Sequence, residues 1–352
     1  MDKITLDSNG HLPNGFVISN RYVIESKLGS GGMGCVYLAQ DTVLEGAPIA
    51  IKVLHHEISG DDAQSKRFLR EVQLMRSVNN LYVVRTFDVG LDGDILYYTM
   101  EYVSGDSLTS LMNNEPMPIE QIVEILYKVC LGLQAVHEKD IIHRDLKPAN
   151  IMVLDDFKIK ITDFGVAKIK GSNLTQHDEI IGSVSYIAPE IWLGKPISTS
   201  VDLYSLGIIL FEMLVGKVPF EDDEPATMMW YHVKQPPTPP KSIRESIPNW
   251  LSQLTVKLLS KNPEDRPKSA LEVADLLARN IAAGNLKVVA NVSSSGTHSA
   301  LSGYHLQSRQ KRNNYKKRVF GREWKVLSVL TICALIYVTS IAYSFVSSLL
   351  LL

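Results

Sequence analysis

Eight residues, His143 to Asn150, constrain this chain more than any other stretch. They place a carboxylate (Asp145), an ammonium (Lys147) and a carboxamide (Asn150) close together, just after the apolar-patterned stretch 122–136. Pro148 cannot continue a helix, so the run is a loop. Ile151-Met152-Val153-Leu154 then reads as a strand, a turn follows at Asp155-Asp156, and a second strand over 158–161 leads into Asp163-Phe164-Gly165. A base, a cation and two hard-oxygen ligands therefore converge at the mouth of a small hairpin.

Phosphoryl transfer needs that combination of groups: an acceptor for a hydroxyl proton, a cation against developing charge, and oxygen ligands for a divalent metal. The run H-R-D-L-K-P-A-N, followed by D-F-G and then by Ala188-Pro189-Glu190, resembles the catalytic core of eukaryotic-type (Hanks-type) serine/threonine protein kinases. Lys147, two residues after the aspartate, matches the serine/threonine branch. The resemblance implies ATP as phosphoryl donor, Asp145 as base, Lys147 supporting the transferred group, and Asn150 with Asp163 holding Mg²⁺, for which Mn²⁺ could substitute. It spans roughly three quarters of the chain, with the motifs in order.

Leu28-Gly29-Ser30-Gly31-Gly32-Met33-Gly34-Cys35-Val36 supplies a G-x-G-x-x-G turn between two β-rich segments. Glycine amides can approach phosphates without Cβ interference. A dinucleotide-binding turn would need a helix directly afterwards, and here another β-rich stretch, Ile49-Ala50-Ile51-Lys52-Val53, comes next. An unpaired ammonium in so apolar a strand is costly, so Lys52 needs anionic partners. The family pattern offers the ATP α/β-phosphates and a glutamate on the next helix, expected over 63–77. Glu71 fits the helix register, with Glu57 the nearby alternative. The same pattern assigns Leu28, Val36 and Ala50 to the base, Met100 to the pocket border, and the backbones of Glu101 and Val103 to the adenine edge. Cys35, within the glycine-rich turn, reads either as a tolerated small residue or as an oxidation-sensitive thiol above the phosphates.

Further strands are expected over 83–89 and 95–100, with helices starting at Gly105-Asp106-Ser107-Leu108, over 121–137, and from Asp202 through Leu214. By the resemblance, Asp202 bonds the catalytic-loop backbone, Arg266 pairs with Glu190, and Ser183 bridges Asp145 and Lys147. Arg144 would dock a phosphate on the activation segment, with Thr175 the first candidate acceptor and Ser172 the second. The expected architecture is α+β: the two-lobed protein-kinase fold, a β-rich N-lobe on a helical C-lobe, plus one C-terminal transmembrane helix.

The domain plan is a leader over 1–20, the kinase domain over 21–281, a flexible linker over 282–308, a basic segment over 309–325 and a membrane span over 326–352. The basic segment carries eight Lys/Arg against one acid, and no charge occurs from Val326 to Leu352. That run exceeds the roughly 20 residues a bilayer requires. Its basic flank places the kinase domain on the cytoplasmic face of the cell membrane. With the net charge at −2, the rest of the chain is acidic and poorly suited to nucleic acid. Three cysteines without paired spacing give no disulfide framework. Expected partners are protein substrates, membrane lipid through 326–352, and a second copy of the chain in a homodimer. The competing class is a nucleotide-binding pseudokinase scaffold; Lys52, Asp145 and Asp163, one of which such scaffolds generally lack, are all present.

Overall fold

The computed structural model describes residues 11–31, 34–54, 62–113, 115–164 and 184–283. The sequence expectations for Gly32, Met33, Glu57, the activation segment 165–183 (Ser172, Thr175 and Ser183 included) and everything beyond 283, the transmembrane helix included, lie outside the described residues.

In chain order the elements are β1 (Val17–Ile18), β2 (Tyr22–Gly31), β3 (Gly34–Asp41), β4 (Ala47–Leu54), α1 (Asp62–Arg76), β5 (Thr86–Asp92), β6 (Ile95–Glu101), β7 (Asp106–Ser107), α2 (Leu108–Met112) and α3 (Ile119–His137). They continue with β8 (Ile151–Val153), β9 (Ile159–Ile161), α4 (Pro189–Trp192), α5 (Ser200–Val215), α6 (Pro225–Val233), α7 (Pro240–Ile243), α8 (Asn249–Leu258) and α9 (Ala270–Ala282). The first six strands form one antiparallel sheet, β1-β2-β3-β4-β6-β5, and β7-β8-β9 form a second, small sheet. The expected two-lobed architecture is present.

Alternation of side chains along the strands splits the N-lobe core in two. Ala50, Tyr98 and Met100 join α1 residues Phe68, Val72 and Met75 in the main cluster, which continues into the C-lobe. Cys35, Tyr37, Ile49, Ile51 and Tyr97 form a second cluster on the other side of the sheet. The expected leader belongs to that cluster from Leu12 onward. Leu12 and Ile18 are buried in it, β1 pairs with β2, and the Leu12 amide donates to the Tyr37 hydroxyl at 3.2 Å.

Two expected boundaries move. The strand anticipated at 83 starts at Thr86, because Val83 instead bridges Ile161 of β9 and the Val84 amide donates to the Ile161 carbonyl. The helix anticipated from Gly105 starts at Leu108, because Asp106 and Ser107 pair with β8 and the Ser107 hydroxyl caps the helix by accepting from the Ser110 amide.

In the C-lobe, α3 buries Ile122, Val123, Leu126, Val129, Cys130 and Leu133 at helical spacing. The α5 helix is apolar nearly all round and runs through the lobe's centre. The Arg266 guanidinium, fully buried, donates to both Glu190 carboxylate oxygens at 2.7 and 2.8 Å and also to the Ser260 and Ser200 carbonyls. That is the predicted pair in bidentate form. Beside it lies His232, wholly buried, its Nδ1 hydrogen-bonded to the Tyr204 hydroxyl and its Nε2 without a partner among the described residues.

Burial, reinforced by the nearby Lys261 ammonium, pushes the His232 imidazole down to about 3 from an ordinary 6.5. The unfolded chain therefore binds a proton that the native ring refuses. The associated stability is complete above pH 6.5 and is lost as pH falls toward the native value. Urea unfolding between pH 6 and 4.5 should show wild type losing stability faster than His232→Phe, by up to about 1.4 kcal/mol per pH unit. Parallel profiles would contradict this assignment.

Candidate active site

The loop before β8 is held from below by α5. The buried Asp202 carboxylate accepts the His143 amide on Oδ2 and the Arg144 amide on Oδ1, both at 2.9 Å, and the His137 Nε2–H on Oδ2 at 2.7 Å. The loop-bonding role expected for Asp202 is therefore present, with His137, at the end of α3, as a donor that sequence reasoning missed. The anchoring holds Arg144 at φ 63°, a left-handed conformation worth about 1–3 kcal/mol of strain in a non-glycine residue.

His143 ties this loop to the strand that leads to Asp163. Its Nε2–H donates to the Thr162 carbonyl at 3.0 Å, Nδ1 accepts the Asp145 amide at 3.3 Å, and the ring lies 4.5 Å from that of Phe164. Burial lowers its pKa, against the pull of Asp202 and Asp145, in keeping with a ring that donates on one side and accepts on the other.

At the mouth of the loop, Asp145 Oδ2 lies 3.3 Å from both Lys147 Nζ and Asn150 Nδ2, and Asn150 Nδ2 also donates to the Asp145 carbonyl at 2.7 Å. The Asn150 amide nitrogen is thereby turned to the loop, and its oxygen accepts no hydrogen bond among the described residues. Asp163 sits at φ 53°, two residues beyond β9. Its Oδ1 takes the Lys52 ammonium at 2.5 Å. Burial opposes charge on both partners. Tyr98 and Asp163 nevertheless raise the Lys52 pKa above the ordinary value for lysine, and Lys52 holds Asp163 below the usual carboxylate range. Tyr98, directly opposite Lys52 in the β4–β6 register, is a further neighbour that sequence reasoning missed.

The expected pairing of Lys52 with Glu71 is corrected here. Lys52 ion-pairs with Asp163, while Glu71, on α1, faces the Arg144 guanidinium at 3.8 Å. Each of these two part-buried cations thus faces a carboxylate within reach. Arg144 accordingly faces α1; its candidate phosphate acceptors Thr175 and Ser172 lie outside the described residues.

The glycine-rich hairpin pairs Gly29 with Val36, Ser30 with Cys35 and Gly31 with Gly34. Its glycines have different causes. A Cβ on Gly34 would lie 2.0 Å from the Val53 carbonyl oxygen, at φ 151°, so the fold itself demands glycine there. A Cβ on Gly29 or Gly31 would meet nothing within 4 Å. Packing does not account for those two glycines; close approach of an outside group would. Together with the acidic and amide oxygens of Asp163 and Asn150, this fits a nucleotide whose phosphates carry Mg²⁺, an ion commonly held by one or two carboxylates plus substrate oxygens.

Val36, Ala50, Met100 and Val103 lie on the sheet face and connector that meet the loop, whereas Leu28 is 47% exposed. Of the two readings of Cys35, the thiol above the phosphates is the one the structure overturns. The Cys35 thiol is buried on the opposite face, 3.8 Å from His11 Nδ1, so it does not stand above the phosphates. Neighbouring strand residues point to opposite faces, and Val36 takes the inner one.

The different surroundings of Gly34 and Gly31 predict a split between two substitutions. Gly34→Ala should lower unfolding stability by about 2–4 kcal/mol. Gly31→Ala should leave stability within about 1 kcal/mol yet weaken nucleotide binding, as denaturation and nucleotide-induced thermal shift would report.

Comparison with known proteins agrees with this geometry. The family model described as protein kinase domain matches residues 22–278. A probable serine/threonine-protein kinase of Clostridium acetobutylicum is 39% identical over 266 residues, covering 75% of this chain and 40% of that protein. Serine/threonine-protein kinase PknB of Mycobacterium leprae is 38% identical over 268 residues, covering 74% and 43%. The match thus spans about two fifths of these curated relatives. The crystal structure of the Mycobacterium tuberculosis PknI kinase domain superposes with a TM-score of 0.62 at 26% identity, covering 76% of this chain and 99% of that domain. From the glycine-rich strands to the last helix of the C-lobe, this chain belongs to the protein kinase family.

Proposed function

We propose that the chain transfers the γ-phosphate of ATP to serine and threonine hydroxyls of proteins. The observation that carries this reading is the Asp145–Lys147–Asn150 cluster beside the Lys52–Asp163 pair, with Lys52 on the strand that pairs with the glycine-rich hairpin. Asp145, its Oδ2 oriented by Lys147 and Asn150, accepts the substrate hydroxyl proton as that oxygen attacks the γ-phosphorus. The bond to the β–γ bridging oxygen breaks, and ADP leaves with the electron pair. Lys147 offsets charge on the transferred group. Lys52 binds the α/β-phosphates, Gly29 and Gly31 let the backbone approach them, and the backbones of Glu101 and Val103 read the adenine edge. Asn150 and Asp163 would hold Mg²⁺, or Mn²⁺ in its place, which supplies charge neutralisation between the phosphates.

The same reading includes autophosphorylation at Thr175, or secondarily Ser172, with Arg144 leaving Glu71 to receive the phosphate. It also includes anchoring in the cell membrane by 326–352, with the basic segment and kinase domain on the cytoplasmic side and lipid or a second copy as neighbours. Supporting the anchor are the uncharged length of that run and its basic flank. Among the described residues, no helix is long and apolar enough to cross a membrane.

Labelled ATP tests the proposal. The full chain should label protein at serine or threonine, and Asp145→Asn should be slower by roughly 10²–10⁴-fold. The chain should also leave membranes only with detergent. Equal labelling by both forms would contradict the role of Asp145, and nucleotide binding without transfer would indicate a scaffold.

A further inference from the structure

Lys160 lies in β9, three residues before Asp163, between two buried isoleucines whose side chains enter the core. It takes no part in the chemistry above. Its ammonium, only 15% exposed, donates to Glu101 Oε2 at 2.7 Å and reaches the Val83 carbonyl at 3.4 Å. Glu101 ends β6 and opens the extended connector 102–104 that leads to the C-lobe. Its carboxylate also accepts the Arg85 amide at 3.3 Å, and its own amide donates to the Arg85 carbonyl at 2.9 Å. Residues 82–84 are in turn bonded to β9: the Ile161 amide donates to the Tyr82 carbonyl, and the Val84 amide to the Ile161 carbonyl. A closed ring of contacts therefore runs from β9 through 82–85 to Glu101 and back through the Lys160 side chain.

We infer that Lys160 is a positioning residue: its ion pair with Glu101 sets the connector that reads adenine at a fixed distance from the strand that presents the metal ligand Asp163. The backbone links along 82–85 would let Glu101 pivot about Arg85. The ammonium, gripping the carboxylate and the Val83 carbonyl together, removes that freedom. Base and phosphates are then bound by one rigid body, and nucleotide does not have to order the connector as it enters. The inference rests on the nucleotide-binding reading above but not on phosphate transfer.

The test uses the full chain and Mg²⁺-ATP, with affinity measured by calorimetry and turnover by labelled ATP. Lys160→Met should weaken ATP binding and raise KM by about three- to ten-fold, as suits one partly buried pair. It should leave kcat within about two-fold, since Asp145 and Lys147 are untouched. Lys160→Arg should restore affinity, as should exchanging the charges in Lys160→Glu with Glu101→Lys. Glu101→Gln, which keeps the connector backbone, should match Lys160→Met and serves if that variant folds poorly. A loss of affinity in calorimetry without any transfer by wild type would uphold the positioning role while overturning the kinase activity. Unchanged affinity in both Lys160→Met and Glu101→Gln, or a fall confined to kcat, would overturn the inference.

Discussion

One buried carboxylate, Asp202, bears the catalytic geometry. It hangs from α5 in the centre of the C-lobe and accepts three donors that the loop and α3 would otherwise bury unsatisfied. Each unmade bond of that kind costs about 1–3 kcal/mol, enough to offset the strain at Arg144. With His143 and Arg144 pinned, the His143 ring reaches Thr162, Asp145 faces Lys147 and Asn150, and the β8–β9 hairpin carries Asp163 toward Lys52. The reactive groups are placed by groups that do no chemistry.

Charge pairing continues outward from that anchor. Glu190 with Arg266 ties the residues after the activation segment to the far end of the lobe. Lys52 with Asp163 and Glu71 with Arg144 link the sheet and α1 to the loop. Because Glu71 and Asp163 are both within the reach of cations here, α1 engages the loop through Arg144 while Lys52 engages Asp163.

Much of this was legible in the chain. The order of the motifs, the helix 121–137 and the β8–β9 hairpin follow from local patterns, while the Asp202 contacts and the Glu190–Arg266 pair came through the resemblance that those motifs carry. What could not be read was partner choice. Lys52, Arg144, Glu71 and Asp163 allow more than one pairing, and only the relative placement of α1 and the loop selects among them. Lys160 looks like an ordinary strand lysine until the connector is seen beside it. The face taken by Cys35 was readable from strand alternation once Val36 was assigned inward. The leader was expected, but its packing onto the sheet was not readable, because a two-residue strand and two isolated apolar residues, Leu12 and Ile18, carry almost no periodic signal.

The most direct test of the account replaces Asp202 by Asn, which keeps the size of the side chain but turns an N–H toward one of the donors it must accept. Amide hydrogen exchange at His143 and Arg144, followed together with the single-turnover transfer rate, should show both amides losing protection and the rate falling by about 10²-fold or more, while ATP affinity changes little. Protected amides with a near-wild-type rate would mean that the loop is held by something other than Asp202, and would contradict the account at its base.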